Sequence, residues 1–148
     1  MYLRSLAPIM LLACAPLAVP TAAKADVVTV FVFNFEFSIL PPTQFPLVDP
    51  TITVGDTIRW QWLTGGHNVV AAANQAESFR SQFLNAGGVF QHTFNRPGEF
   101  YFFCEPHGQD QGDGTATGMA GIVTVLPIPV PSTLALFPLA VLTVRRRR

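Results

Sequence analysis

Cysteine is scarce in this 148-residue chain, which has two, Cys14 and Cys104. Residues 1–25 join Arg4, an apolar run over residues 6–13 and the small-residue pattern Ala23-Lys24-Ala25, the three parts of an export leader. Cutting after Ala25 leaves Cys104 as the sole cysteine, so no intramolecular disulfide can brace the mature domain. A lipoprotein reading that cleaves before Cys14 fits less well, because the leader would be unusually short and apolar sequence continues beyond it. Positive charge is scarce too. Between residues 26 and 127 only Arg59, Arg80 and Arg96 stand against nine carboxylates, which leaves six negative charges in excess. No basic patch is visible, which argues against nucleic acid as a partner. A negative field suits solubility and also suits a basic protein partner. Internal repeats and long amphipathic helical patterns are missing as well.

What the chain does have is alternation. Residues 26–127 make one small domain, long enough to bury a modest core without disulfides. Val27 to Phe37 reads as one strand, with Phe31, Phe33, Phe35 and Phe37 on one face and Val30, Val32, Asn34 and Glu36 on the other. Pro41 and Pro42 end it, and residues 41–50 read as a loop. Residues 51–54 and 57–63 around Gly55-Asp56 read as a hairpin. Residues 89–94 and 100–104 around Arg96-Pro97-Gly98-Glu99 read as another. Residues 121–126 give a last strand, and residues 72–88 read as a loop with a short helical turn over 77–83. Short strands punctuated by proline and glycine predict an all-β, antiparallel Greek-key sandwich of about seven to eight strands.

From Leu126 to Val144 the chain carries no charge, and it ends on Arg145, Arg146, Arg147 and Arg148. Pro127, Pro129 and Pro131 break the start of that stretch, leaving residues 132–144 as a short helix interrupted by Pro138. The sequence Pro129-Val130-Pro131, an apolar segment and terminal arginines resemble the bacterial exosortase sorting signal, with Val130 where that signal has glutamate. The resemblance implies a proline-rich linker and sorting tail over 128–148, membrane contact through the tail, a sorting peptidase as partner, and the arginines on the cytoplasmic side.

The chemistry gathers in three places. His67 follows Gly65-Gly66 at the start of a strand. Cys104 ends the aromatic run Phe100-Tyr101-Phe102-Phe103, and His107 lies three residues on. Met119 is the mature chain's only methionine. A thiolate, two imidazoles and a weak thioether make the trigonal site with a long axial bond that suits copper cycling between oxidation states. Zinc fits less well, since a structural zinc site takes closed tetrahedral bonding with more thiolate. A nucleophilic Cys-His pair fits worse again, since no oxyanion hole is in view. His92, inside the strand pattern of residues 89–94, reads as an ordinary strand histidine.

The stretches VGDTIRWQW (54–62), GGHNVV (65–70), FQHTFNRPGEFYFFCEPH (90–107) and GMAGIVTV (118–125) resemble a cupredoxin of the plastocyanin type, in that family's order and over most of the domain. The resemblance implies a type 1 copper site, with His67, Cys104 and His107 as equatorial ligands and Met119 as the axial one. It implies that Asn68 ties the two ligand loops by hydrogen bonding and that the Gly66 carbonyl offers a distant further axial contact. It implies an electron carrier rather than an enzyme, exported to the periplasm or cell surface and monomeric. Its partners would be redox proteins such as a cytochrome or a copper oxidoreductase. Copper storage or delivery would use the same ligands.

One departure from the family concerns residues 108–118, which separate His107 from Met119 by eleven residues where the family has only a few. The polar, glycine-rich segment is expected to loop out at little entropic cost. Gln109 and Gln111 remain alternatives to Met119 at the axial position. Asp110 and Asp113 suggest a weak calcium site but lack the ligand count, so a solvated loop is the expectation.

Overall fold

A computed structural model describes residues 24–129. The leader up to residue 23 and the tail from residue 130 lie outside the described residues. No helix among the described residues is long and apolar enough to cross a membrane. Eight strands make up the domain: β1 (Val27–Phe33), β2 (Glu36–Ser38), β3 (Thr51–Thr53), β4 (Thr57–Trp62), β5 (Val70–Ala71), β6 (Val89–Thr93), β7 (Gly98–Asp110) and β8 (Ala116–Leu126). They form two four-stranded sheets, ordered β2-β1-β4-β6 and β3-β8-β7-β5. The expected sandwich is present, but its sheets are mixed. β1 runs parallel to β4 and β3 parallel to β8, while the remaining pairs are antiparallel.

The strand expected over 27–37 is a hairpin. Asn34 and Phe35 take φ of 43° and 66°, and Phe33 pairs with Glu36 across them. Two successive residues at positive φ make the tight turn that matches strand twist, a place where glycine normally stands. A phenylalanine there costs about 1–2 kcal/mol. The turn also breaks the expected phenylalanine face. Val30 and Val32 are fully buried, Phe33 and Phe37 are buried beside them, Phe31 is half-buried, and Phe35 is 59% exposed.

Neither expected hairpin around 55–56 or 96–99 forms, because both turns carry the chain from one sheet to the other. β3 lies on β8 and β4 on β1 and β6, so each strand finds its ladder far away in sequence. The two corners brace one another. Gly55 donates to the Phe94 carbonyl at 2.8 Å, and Phe94 donates to the Asp56 carbonyl at 3.0 Å. The Asp56 carboxylate accepts the backbone N–H groups of Asp26 and Thr53, both at 2.8 Å.

The helical turn expected over 77–83 is absent, and the segment is extended. Its burial alternates, with Phe79 and Ser81 inside and Ser78, Arg80 and Gln82 outside, and bridges join His67 to Leu84 and Val70 to Arg80. Period-two burial against β5 outweighs any local helical tendency.

The core is aromatic. Trp60 is stacked between Phe79 and Phe90 at centroid distances of 5.3 and 5.6 Å, and Phe102 meets it edge-on at 5.4 Å. Each such ring removes roughly 150–250 Å² from water, about 4–6 kcal/mol before entropy. The same cluster continues through Trp62 to Cys104 and Met119 at one end of the sandwich.

Candidate metal centre

The ladder between β7 and β8 breaks at one place. Phe103 pairs with Ala120 and Gly108 with Gly118, so Cys104, Glu105, Pro106 and His107 all stand opposite the single residue Met119. Extra residues in one strand bend it and re-aim its side chains, a device common beside functional sites. Here the bulge carries Cys104 and His107, and Met119 stands opposite it on β8. Close approach of the rejoined strands requires glycine at 108 and 118. A Cβ on Gly108 would lie 2.7 Å from the Met119 carbonyl oxygen, and one on Gly118 would lie 2.6 Å from that of His107.

His67 arrives from the other side. Its carbonyl accepts the Trp62 indole Nε1 at 2.9 Å and the Leu84 N–H at 3.0 Å. Val69 and Ser81 hold the next turn of chain, with the Val69 N–H donating to Ser81 Oγ at 2.9 Å and the Ser81 N–H to the Val69 carbonyl at 2.8 Å. Gly66 precedes His67 at φ 79°, and its N–H donates to the Leu84 carbonyl at 3.2 Å.

The three donors converge. His67 Nδ1 and His107 Nδ1 are 3.1 Å apart, and Cys104 Sγ is 3.7 and 3.4 Å from them. The circle through those atoms has a radius of about 2.0 Å, close to the roughly 2.0 to 2.3 Å of metal–nitrogen and metal–sulfur bonds. They form the one group of three or more metal-binding side chains found among the described residues. Cys104 is a free thiol and fully buried, His67 is 3% exposed and His107 is half-buried. A lone soft thiolate with two imidazoles is a donor set that fits copper. Burial pushes the His67 pKa down, and the charge on His107 adds to this. Burial pushes the Cys104 thiol up, while N–H groups of Asn68 and His107 draw it part of the way back.

Met119 is buried, at 3% exposure, and packs in the same cluster as Cys104. The two glutamines named as alternatives stand elsewhere. Gln109 and Gln111 are exposed, and the Gln111 amide donates to Thr117 Oγ1 at 2.9 Å. Nor does the segment between His107 and Met119 loop out. β7 and β8 continue past the bulge as a hairpin arm, closed by Gly112 and Gly114 at positive φ and by a Gln111 N–H to Thr115 carbonyl bond of 3.0 Å. Asp110 accepts the N–H groups of Ala73 and Gly112, and Asp113 accepts the N–H and the hydroxyl of Thr115, so both carboxylates are occupied.

Asn68 does tie the two ligand segments. Its Oδ1 accepts the Glu105 N–H at 2.9 Å and its Nδ2 donates to Glu105 Oε2 at 2.7 Å. His92 stands away from the site on β6, opposite Ile58, with its Nε2 2.9 Å from Glu77 Oε2. One residue at the site escaped the sequence reading. Phe35 lies edge-on to both histidines, 4.5 Å from the His107 ring centroid and 5.6 Å from that of His67. Its place in a turn without glycine gave no signal.

A family model described as copper binding proteins of the plastocyanin/azurin family matches residues 43–126. The chain is 34% identical over 84 residues to a plastocyanin of Scenedesmus fuscus, a match spanning 51% of this chain and 79% of that one. It is 34% identical over 77 residues to a halocyanin of Natronomonas pharaonis, spanning 50% of this chain and only 43% of that one. Among solved structures, an oxidised amicyanin variant superposes with a TM-score of 0.50 at 20% identity, over 67% of this chain and 81% of that one. A copper-containing nitrite reductase from Thermus scotoductus SA-01 superposes with a TM-score of 0.51 at 24% identity, over 76% of this chain and 25% of that one. Both likenesses concern the sandwich fold.

Proposed function

Since the chain belongs to the plastocyanin/azurin family of copper-binding proteins, we propose that it is an exported electron carrier, passing single electrons between larger redox proteins, and not an enzyme. The observation that carries this reading is the triangle of His67, Cys104 and His107 donors lying about 2.0 Å from a common centre. Copper held there supplies a one-electron couple at a site closed by protein ligands.

The chain's own residues do the rest. His67, Cys104 and His107 would hold the copper. Met119, buried and across the bulge from Cys104, would supply a fourth, weaker contact to the metal, and the Gly66 carbonyl a more distant one. Asn68 holds the two ligand segments at fixed spacing, as residues behind a metal's ligands commonly do. Phe100, Phe102 and Phe103, all buried, keep water from the sulfur. His107, half-buried, is the contact through which an electron leaves toward a partner. The excess of acids favours a basic partner such as a cytochrome, with a copper oxidoreductase as the other class. Export rests on the leader of residues 1–25, and envelope sorting with membrane contact rests on residues 128–148.

The test is to add cupric ion to the purified chain. An intense orange-red absorption is expected, lost in Cys104→Ser, with a reversible couple whose potential shifts in Met119→Gln. An unchanged potential in Met119→Gln would point to another axial group. Rapid copper loss with sluggish self-exchange would assign the same ligands to copper delivery instead.

A further inference from the structure

The bond between Asn68 and Glu105 has a third member. Glu105 Oε2 accepts Asn68 Nδ2 at 2.7 Å and also Arg80 Nη2 at 2.6 Å. A single carboxylate oxygen thereby joins three stretches of chain: the one bearing His67, the one bearing Cys104, and the extended segment of residues 79–84. Arg80 is placed for this by its bridge to Val70, which runs the segment alongside β5. Its side chain is 60% exposed, that of Glu105 is 34% exposed, and Asn68 is 1% exposed. The contact therefore reaches from the surface to a fully buried amide beside the site.

We propose that Arg80 is a positioning residue for electron transfer, acting on the Cys104 sulfur through Glu105 and Asn68 and raising the reduction potential of the site. The inference rests on the electron-transfer reading above. Two effects are involved. A carboxylate one residue from the sulfur stabilises the more positive, oxidised state, and the guanidinium cancels that field. With Arg80 in place, Glu105 also keeps its bond to the Asn68 side chain, which fixes the segment bearing His67 against the one bearing Cys104. A ligand set held at fixed spacing by such outer contacts keeps its donor strength at the metal. Consistent with a formed pair, the Arg80 hydrogen bond, followed by that of Asn68, holds the Glu105 carboxyl below its usual range. Exposed ion pairs contribute little to folding, so the effect is read at the metal and not in stability.

The experiment is voltammetry of the copper-loaded chain as wild type, Arg80→Gln, Glu105→Gln and the double variant, at low salt and in about 1 M salt, where charges are screened beyond about 3 Å. Arg80→Gln is expected to lower the potential and Glu105→Gln to raise it. The Arg80→Gln shift is expected to fall by more than half when residue 105 is already glutamine, and to survive high salt in large part. An Arg80→Gln potential equal to the wild type overturns the inference. So does a shift of equal size in both backgrounds that vanishes in high salt, which is the mark of a plain surface charge. The visible band of each variant verifies that the site is intact, and Arg80, being exposed, is replaceable without unfolding. A wild-type chain with no reversible couple overturns the electron-transfer reading itself, and this inference with it.

Discussion

Gly112 and Gly118 have nearly the same backbone conformation, φ 77° and 78°, in different surroundings. A Cβ on Gly112, at the tip of the hairpin arm, meets nothing within 4 Å. A Cβ on Gly118 meets the His107 carbonyl oxygen at 2.6 Å and Gly108 Cα at 2.9 Å. Alanine at 112 therefore pays only for left-handed backbone, about 1–2 kcal/mol. Alanine at 118 adds a backbone clash, and forced overpacking costs about 1–3 kcal/mol more. The expected loss for Gly118→Ala is then about 2–5 kcal/mol, a large share of the roughly 5–15 kcal/mol that stabilises a small domain. In a domain of this size that lowers Tm by about 8 °C or more. Urea unfolding of the two metal-free variants, side by side with the wild type, gives the comparison. Because relief must come from moving the His107 carbonyl, the copper-loaded Gly118→Ala variant is also expected to change its visible spectrum, and Gly112→Ala to leave it alone. Equal stability losses in the two variants would refute the reasoning, since they would show that the tight passage behind the site costs nothing to widen.

Other consequences are open to measurement. Phe35→Gly removes a strained turn residue that is mostly exposed, so stability should change by less than about 1–2 kcal/mol in urea, while the potential should fall as water reaches the histidines. His67 is held below its ordinary value, about 6.5, so the unfolded chain binds that proton more tightly than the folded one. The metal-free protein should therefore lose stability as pH drops through about 6.5, with a weaker slope in His67→Gln, as urea midpoints between pH 7.5 and 5 would record. Cys104 is shifted the other way and keeps its proton at neutral pH without metal, so metal loading should release about one proton, measurable by calorimetry in buffers of different ionisation heat. Glu77 accepts the Asn95 N–H at 2.7 Å as well as His92, so Glu77→Ala should cost about 1–3 kcal/mol and leave the visible band of the copper form unaltered.

The convergence of His67, Cys104 and His107 was legible because residue type and order together narrow the chemistry, even across 40 residues of chain. The asparagine tie came with the same pattern. The path of the strands was less legible. Alternation over Val27 to Phe37 is the same for one strand as for two strands folded back, and only a turn residue could tell them apart; phenylalanine at 35 hid it. The turns at Gly55 and Gly98 look like hairpin turns because a local sequence records a reversal, not which sheet receives the returning strand. That choice is made by β1 and β8, remote partners with no local trace. The segment 108–118 looked like a loop since its glycines and aspartates are loop formers. They form the turn at the tip, while Asp110 and Thr117 continue the ladder.

The pairing of β3 with β8 governs the order in which a growing chain can finish itself. Synthesis runs from the N-terminus, and distant pairings form slowly. The second sheet has no closing strand until residues 116–126 emerge, and the sulfur and second imidazole belong to that same late portion. An ion meeting the chain before β7 has formed finds His67 alone of the three converging donors, and little to retain it. Metal capture thus waits on the closing of the second sheet, late in the assembly of the domain.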